Sequence, residues 1–152
     1  MREVLIRRAT TADAPVAARI IAAALAEHDI PFEPEGRDAD VAMFGARSDH
    51  DDLVAATREG RVVGVVSVGP HGDPGVAWVS KLFVDRDARG TGTGRALLHA
   101  AHDAARARGM HTVGLRTRPI FLAAVQLYVS EGYRASGPPA PGSMVVVLHR
   151  PL

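Results

Sequence analysis

The chain has 152 residues, with 18 lysines and arginines against 17 acidic residues and a net charge of +1. This balance argues against a nucleic-acid-binding surface, and the 47% hydrophobic content favours a folded chain over a disordered one. No apolar run approaches the roughly 18 residues of a membrane span, and no signal-peptide pattern precedes the first strand. The lack of cysteine excludes disulfides, thiolate zinc sites and a cysteine nucleophile. We therefore expect one domain over residues 1–152, in the cytoplasm.

The first half of the chain alternates between strand and helix patterns. Thr11 or Asp13 can cap the first helix, and the turn 58–61 joins two apolar runs into a hairpin. The predicted elements are a strand at 4–8, a helix to about Glu27, a short helix at 38–44, and strands at 53–57, 62–68 and 76–84.

The second half continues the alternation. Phe121, Ala124, Val125 and Tyr128 share one helical face. The predicted elements are a helix from about Gly92 to Arg108, a strand at 112–116, a helix from Pro119 closed by Gly132, a strand at 133–135, a Pro/Gly loop at 137–142, and a last strand at 144–149. A hairpin flanked by helical crossovers indicates an α/β class, with a mixed sheet and helices on both faces.

Charge is distributed unevenly along the chain. Residues 27–52 contain nine acids against two arginines, which gives this segment a charge of −7 and the remainder +8. One part can therefore face a cation while another faces an anion. A solvated acidic loop is the alternative interpretation.

A glycine-rich turn joins the 76–84 strand to the following helix, with the sequence Arg89-Gly90-Thr91-Gly92-Thr93-Gly94-Arg95. Glycines at alternate positions allow a tight turn whose successive N–H groups no side chain shields. These donors lie at the positive end of a helix, which favours an anion such as a pyrophosphate. An ordinary strand-to-helix turn is the alternative. The spacing fits neither a Walker A loop nor a Rossmann fingerprint.

Two motifs together carry a family resemblance. Arg89-x-x-Gly92-x-Gly94 follows Leu82-Phe83-Val84-Asp85, and Ala124-x-x-Leu127-Tyr128-x-x-x-Gly132-Tyr133 comes later in the chain. This pair resembles the signature of the GNAT superfamily, the acyl-CoA-dependent N-acetyltransferases. The resemblance implies a GNAT-type α/β (α+β) fold, in which a mixed, mostly antiparallel sheet of six to seven strands has helices on both faces.

The resemblance also implies a set of cofactor contacts. In the family the glycine turn binds the pyrophosphate of coenzyme A, and the preceding strand hydrogen-bonds the pantetheine arm through its main chain. Acetyl-CoA is therefore the expected acyl donor, and no metal is expected. The residues implied to contact it are Leu82, Phe83, Val84, Arg89, Gly90, Thr91, Gly92, Thr93, Gly94 and Arg95.

Tyr128 is the candidate catalytic residue. GNAT enzymes often place a tyrosine at this point of the motif, and a phenol can protonate the thiolate that leaves a thioester. A core tyrosine on an apolar helix face is the alternative. His99 and His102 share a helix face, but with no third ligand in view they do not indicate a metal site.

Two positions depart from the family pattern. Phe121 stands where many relatives carry Asn, and Trp78 stands where many carry a glutamate base. No side-chain base is therefore identifiable, which favours a water relay or a weakly basic acceptor. The acidic segment instead favours a cationic acceptor such as a polyamine, an aminoglycoside or lysine, and the sequence leaves both open.

The expected function is transfer of acetyl from acetyl-CoA to the primary amine of a small molecule or peptide, directly within a ternary complex. Homodimerisation is common in the family and compatible with the exposed strands. The alternatives are an acyl-CoA-binding sensor without turnover and a protein N-terminal or lysine acetyltransferase. Neither a nucleic acid nor a membrane is expected as a partner.

Overall fold

The computed structural model describes residues 3–138 and 141–152. Within them the predicted alternation is confirmed. The elements are β1 (Leu5–Arg8), α1 (Ala14–Ala26), β2 (Asp51–Ala56), β3 (Val62–Pro70), β4 (Val76–Val84), α2 (Thr93–Ala107), β5 (Thr112–Thr117), α3 (Leu122–Ser130), β6 (Arg134–Ala135) and β7 (Val146–Pro151), with 3₁₀ turns at Thr11–Asp13, Ala39–Met43 and Arg86–Ala88. No helix in these two ranges combines the length and the apolar character needed to cross a bilayer.

The strands form one seven-stranded sheet in the order β1-β2-β3-β4-β5-β7-β6. The β4–β5 pair is parallel, while the other neighbouring pairs are antiparallel. The mixed, mostly antiparallel sheet that the family resemblance implied is therefore confirmed.

Each face of the sheet carries its own apolar core, as predicted. On one face α1 packs Ile21 and Leu25 against Val65 of β3. On the other face α2 packs Leu97 and Leu98 in the cluster that also contains residues of β4, β5 and α3. Burial of each such side chain stabilises the fold by about 1.5–3 kcal/mol. Helices thus pack against the central strands on both faces of the sheet and fix their positions.

The observed β2 begins two residues earlier than the predicted strand and includes two buried acids. Asp51 accepts hydrogen bonds from Arg108, with the Nε–Oδ2 distance at 2.6 Å, and Arg8 Nη2 lies 2.7 Å from Asp51 Oδ1. Burial alone would raise the pKa of Asp51, but these two guanidinium groups hold it below its usual value. Asp52 accepts a hydrogen bond from the Gly45 N–H at 2.8 Å.

The second half of the chain differs from prediction at its boundaries. α3 begins at Leu122 rather than Pro119, because Phe121 has a ψ of 64° that is not helical. β7 begins at Val146 rather than Met144 and pairs residue by residue with all of β5. The predicted Pro/Gly loop at 137–142 includes residues 139 and 140, which lie outside the described residues.

A local irregularity separates β4 from β5 and creates the site. In the described residues the two strands pair only between Val76–Trp78 and Thr112–Gly114. Further along β4, Lys81 has a φ of 58° and the register against β3 shifts between Val65 and Ser67. This is a β-bulge, which bends the strand that carries it. From the bulge onward β4 is unpaired on the side of β5.

Candidate active site

A cleft of about 1160 Å³ lies where β4 and β5 separate. It is lined by the second half of β4, the end of β5, the glycine-rich turn, and parts of α1 and α3. The sequence-predicted Leu82, Phe83, Val84 and Tyr128 all line it, together with most of the turn. The cleft therefore brings the two sequence motifs together.

The glycine-rich turn presents its main chain to this cleft. Gly90 and Gly92 have φ values of 74° and 84°, which favour glycine. A Cβ added to either residue would meet no atom within 4 Å, so the space beside the turn is open.

The donors of the turn are unused within the protein. In the part of the chain that the structure describes, no protein acceptor takes a hydrogen bond from the backbone N–H groups of residues 90–95. Because α2 starts at Thr93, its dipole adds positive character at the same place. These free donors suit an anion, and we call residues 90–95 the cradle below.

Two threonines of the cradle brace it internally. Thr91 Oγ1 donates a hydrogen bond to the Ala88 carbonyl at 2.5 Å and lies 2.9 Å from Thr93 Oγ1. Thr93 is almost fully buried at the start of α2. These side chains shape the loop, while its backbone remains available to a ligand.

Arg89 makes a contact that the sequence did not predict. Its Nη1 and Nη2 atoms donate hydrogen bonds to the two carboxylate oxygens of Glu27, each at 2.6 Å, and its Nε donates to the Val84 carbonyl at 3.1 Å. The hydrogen bond from Arg89 lowers the pKa of Glu27. The guanidinium thus ties the end of α1 and the end of β4 to the cradle.

Arg95 also uses its side chain structurally. It pairs with Glu131 just beyond α3 and donates to Ser130 Oγ at 3.2 Å. His99 Nε2 lies 2.9 Å from the same carboxylate, and these partners lower the pKa of Glu131, with His99 as the largest cause. Arg95 therefore links α2 to the end of α3, and its N–H stays in the cradle.

The two motif tyrosines differ in their surroundings. Tyr133 is buried, and its hydroxyl lies 2.7 Å from His102 Nε2. Tyr128 lines the cleft with 6% of its surface exposed, and none of the described residues hydrogen-bonds its hydroxyl. Burial raises the pKa of Tyr128 to about 12, so it is protonated at neutral pH. Its phenol is thus an uncommitted proton donor beside the cleft.

The two departures from the family pattern form aromatic walls. Trp78 packs between His71 and His149, with ring centroids 4.2 and 5.7 Å apart. Phe121 makes edge contacts with His28 at 4.9 Å and with Phe83 at 6.3 Å. These rings supply apolar surface where a relative would have polar side chains.

Most acids of the segment 27–52 are engaged within the chain. Their partners are basic side chains in the ion pairs Glu27–Arg89, Glu33–Arg37, Asp38–Arg37, Asp40–Lys81, Asp51–Arg108 and Asp52–Arg47. The negative charge of the segment is therefore largely balanced locally. That the segment selects a cationic acceptor stays a prediction.

The histidines of α2 belong to the fold. His102 is buried, and burial, with a further contribution from Arg150, lowers its pKa to about 4. No group of three or more metal-ligating side chains occurs among residues 3–138 and 141–152.

Comparisons with known proteins agree with this geometry. The model of the acetyltransferase (GNAT) family matches residues 18–133. An IAA acetyltransferase from Azospirillum brasilense is 34% identical over 89 residues, which are 59% of this chain and 58% of that protein. The match thus spans little more than half the length of that relative.

Solved structures extend the similarity to nearly the whole chain. A GCN5-related N-acetyltransferase from Kribbella flavida has a TM-score of 0.81 and 28% identity, covering 98% of both chains. A ribosomal-protein-alanine N-acetyltransferase from Brucella melitensis has a TM-score of 0.75 and 28% identity, covering 97% of this chain and 99% of its own. With its cradle, separated strands and family match, the chain belongs to the GNAT family of acetyltransferases.

Proposed function

We propose that the protein transfers an acetyl group from acetyl-CoA to a primary amine, directly within a ternary complex. The observation that carries this proposal is that the cradle and the unpaired edge of β4 line one continuous cleft. The proposal goes beyond family membership, since it names the donor, the kind of acceptor and the order of bond changes.

The residues present fit coenzyme A. Free N–H groups at a helix start suit a diphosphate, and the unpaired edge of a strand suits an arm that carries amide groups. The cradle would hold the first, and the backbone of residues 82–84 would hold the second. When bound, acetyl-CoA supplies the thioester acyl group.

Tyr128 supplies the proton that the reaction needs. As the carbon–nitrogen bond forms and the carbon–sulfur bond breaks, the Tyr128 hydroxyl can deliver its proton to the leaving sulfur. Its raised pKa keeps the phenol protonated at neutral pH, and after the transfer the phenolate regains a proton from water, which takes up the proton that the acceptor amine loses. Since the chain has no cysteine, a thioester acyl-enzyme is not available, which supports direct transfer.

The acceptor must lose its own proton without a carboxylate at the position of Trp78. A lysine-like amine needs about 4–5 kcal/mol to become neutral at pH 7, whereas an α-amine needs about 1 kcal/mol. The site therefore favours a weakly basic amine whose proton passes to water. Resemblance to a ribosomal-protein-alanine N-acetyltransferase is consistent with an α-amine acceptor.

A broad amine screen that monitors release of free thiol from acetyl-CoA tests this function. We expect turnover with at least one class of primary amine. Tyr128→Phe should lower kcat by about 10²–10⁴-fold, as expected for loss of a general acid, with unchanged affinity for CoA. Tyr133→Phe is the matched control, because it removes a phenol that is committed to His102 and should retain turnover.

Calorimetry with CoA separates the ways in which the proposal can fail. Binding without thiol release by any amine would indicate an acyl-CoA sensor instead of an enzyme. No binding of CoA or acetyl-CoA would remove the assignment of the cradle as well.

A further inference from the structure

We propose that the acceptor half of the cleft contains an anion subsite centred on Arg116, so that the acceptor carries an anionic group, foremost a carboxylate, beside its primary amine. This inference rests on the proposed function and deepens it by naming the substrate class. It derives from the position of Arg116 in the sheet and from the charge of the cleft.

The position of Arg116 follows from strand geometry. Leu115 is buried in the core that contains α2, and successive side chains of a strand point to opposite faces. Arg116 therefore faces the other side of the sheet, the side of α1, where it is exposed. Trp78 faces the same side, since its neighbours Ala77 and Val79 belong to the α2 core.

Arg116 lies at the gap between the two strands. Gly114 is paired with Trp78, and Arg116 is two residues further along β5, where β4 has separated. The cradle instead lies at the start of α2, the helix that packs on the other face of the sheet. We assign the face of Arg116 to the acceptor.

The charges that line the cleft are strongly unbalanced. Of the residues that the structure describes, three carboxylates line it, and each is paired: Glu27 with Arg89, Asp38 with Arg37, and Asp40 with Lys81. The lysine and arginines that line it are Arg37, Arg47, Lys81, Arg89, Arg95, Arg116 and Arg118.

Two of these cations have no counterion within residues 3–138 and 141–152. Among the described residues, neither Arg116 nor Arg118 forms a salt bridge or donates a side-chain hydrogen bond. Arg47, which contacts Ser67 Oγ at 3.4 Å, is poorly satisfied as well: its Nε is buried without a partner, and the nearest carboxylate oxygen, on Asp52, is 3.9 Å away. A cleft lined by unbalanced cations concentrates anions.

An arginine fork matches a carboxylate or a phosphate in geometry and charge. Trp78 and His71 line the same cleft, and their packed rings offer apolar and aromatic surface that suits the side chain of an amino acid. The combination of an anionic group, a primary amine and a side chain against aromatic rings describes an amino acid. An amine that carries a phosphate shares the anionic chemistry and is distinguished by experiment.

The test compares amines that differ only in their anionic group. Phenylalanine, phenylalaninamide and 2-phenylethylamine form one set, and O-phosphoethanolamine with ethanolamine forms the other. We expect kcat/KM for phenylalanine to exceed that for the amide at least tenfold. This preference would oppose amine basicity, because the amide has the less basic amine and reacts more readily on that ground alone.

Variants assign the preference to Arg116. Arg116→Gln should raise the KM for phenylalanine at least tenfold, while the KM for acetyl-CoA and the kinetics with phenylalaninamide stay unchanged. Arg134→Gln is the matched control, because Arg134 is an exposed arginine of β6 that does not line the cleft. A preference for O-phosphoethanolamine that Arg116→Gln abolishes would support the subsite and identify its anion as phosphate.

Two results would overturn the subsite. The first is that the wild-type enzyme has equal kcat/KM values for the neutral amines and their anionic counterparts. The second is that Arg116→Gln changes the KM values of the neutral and the anionic amines by the same factor. If no amine is acetylated, the proposed function fails, and calorimetry still tests the subsite. N-acetylphenylalanine should then bind the CoA-loaded protein more tightly than its amide, and Arg116→Gln should remove the difference; equal binding of the two would refute it.

Discussion

Arg89 and Glu27 form a two-point ion pair between residues that lie 62 positions apart in the chain, and this pair joins α1 to the loop that begins the cradle. The same guanidinium reaches the carbonyl of Val84 at the end of β4. One side chain therefore fixes the relative position of three parts of the cleft. Arg89, the first residue of the glycine motif, therefore binds the carboxylate of Glu27 and lies just outside the cradle.

Glu27→Gln should weaken CoA binding and lower the stability of the fold by similar free energies. The pair is partly exposed, at 30% for Glu27 and 42% for Arg89, so its contribution to unfolding free energy is at most about 1 kcal/mol. A similar loss in positioning the cradle corresponds to about fivefold weaker CoA binding. Calorimetry and urea unfolding measure both effects. Glu35→Gln, at an exposed residue, should change neither, and unchanged affinity in Glu27→Gln would contradict the role given to the pair.

Gly92→Ala should separate backbone strain from ligand binding. Its φ of 84° makes alanine costly by about 1–2 kcal/mol, although no atom obstructs the new Cβ. Gly60 in the β2–β3 turn has a φ of 87° and equally open surroundings, so Gly60→Ala should cost the same stability. Only Gly92→Ala should weaken CoA binding, by at least about tenfold, since its Cβ enters the face of the cradle. Equal CoA affinities in the two variants would exclude the cradle as the phosphate site.

The pH dependence of kcat should show no alkaline loss from Tyr128 below pH 10. A general acid works in its protonated form, and burial raises the pKa of Tyr128 from 10.0 to about 12. The protonated fraction therefore stays near one from pH 7 to pH 10. Rates measured over this range with a saturating amine check the prediction. An alkaline limb near pH 9 that disappears in Tyr128→Phe would mean that the phenol ionises much earlier.

Acidification should destabilise the protein through His102. Its folded-state pKa of about 4 lies below the ordinary 6.5, chiefly because of burial, so the unfolded chain binds the proton more readily between these values. The stabilisation is complete above pH 6.5 and is lost as pH falls towards 4, in total by about 3 kcal/mol.

Urea unfolding at pH 7.5 and 5.0 tests this dependence, with His102→Gln as the comparison. The variant keeps an amide near the Tyr133 hydroxyl and removes the titration, so it should lose less stability between the two pH values. An equal loss in both proteins would assign the acid sensitivity to other groups. Glu131, whose pKa is lowered by its partners, is one such group.

The features that could be predicted from sequence depend on backbone angles, apolar spacing and motifs within short segments of the chain. The cradle was predictable because Gly90 and Gly92 adopt backbone angles that few other residues tolerate. The strands and helices followed from apolar spacing, and the family motifs led to Tyr128. Its place in the cleft agrees with that prediction, and its catalytic role awaits the kinetic test.

Features that depend on distant contacts were not predictable. The sequence around Asp51 is polar and predicts the end of a loop. Asp51 is buried in β2 because Arg8 and Arg108, from other parts of the chain, form ion pairs with it. Glu27 gave no local signal of its pairing with Arg89. The position of Arg116 in the cleft depends on the divergence of β5 from β4 beyond Trp78, a tertiary feature with no local sequence signal.

Because β4 diverges from β5, the second half of β4 has backbone groups without strand partners. These groups lie within the sheet and not at its outer edge. Unpaired peptide groups at a rim invite association with another chain, but here they line a cleft together with parts of β5, α2 and α3. Only a slender molecule that carries its own amides can complete the ladder. The reactant would thereby act as a temporary strand, and slower deuterium uptake along β4 would report the loaded state of the protein.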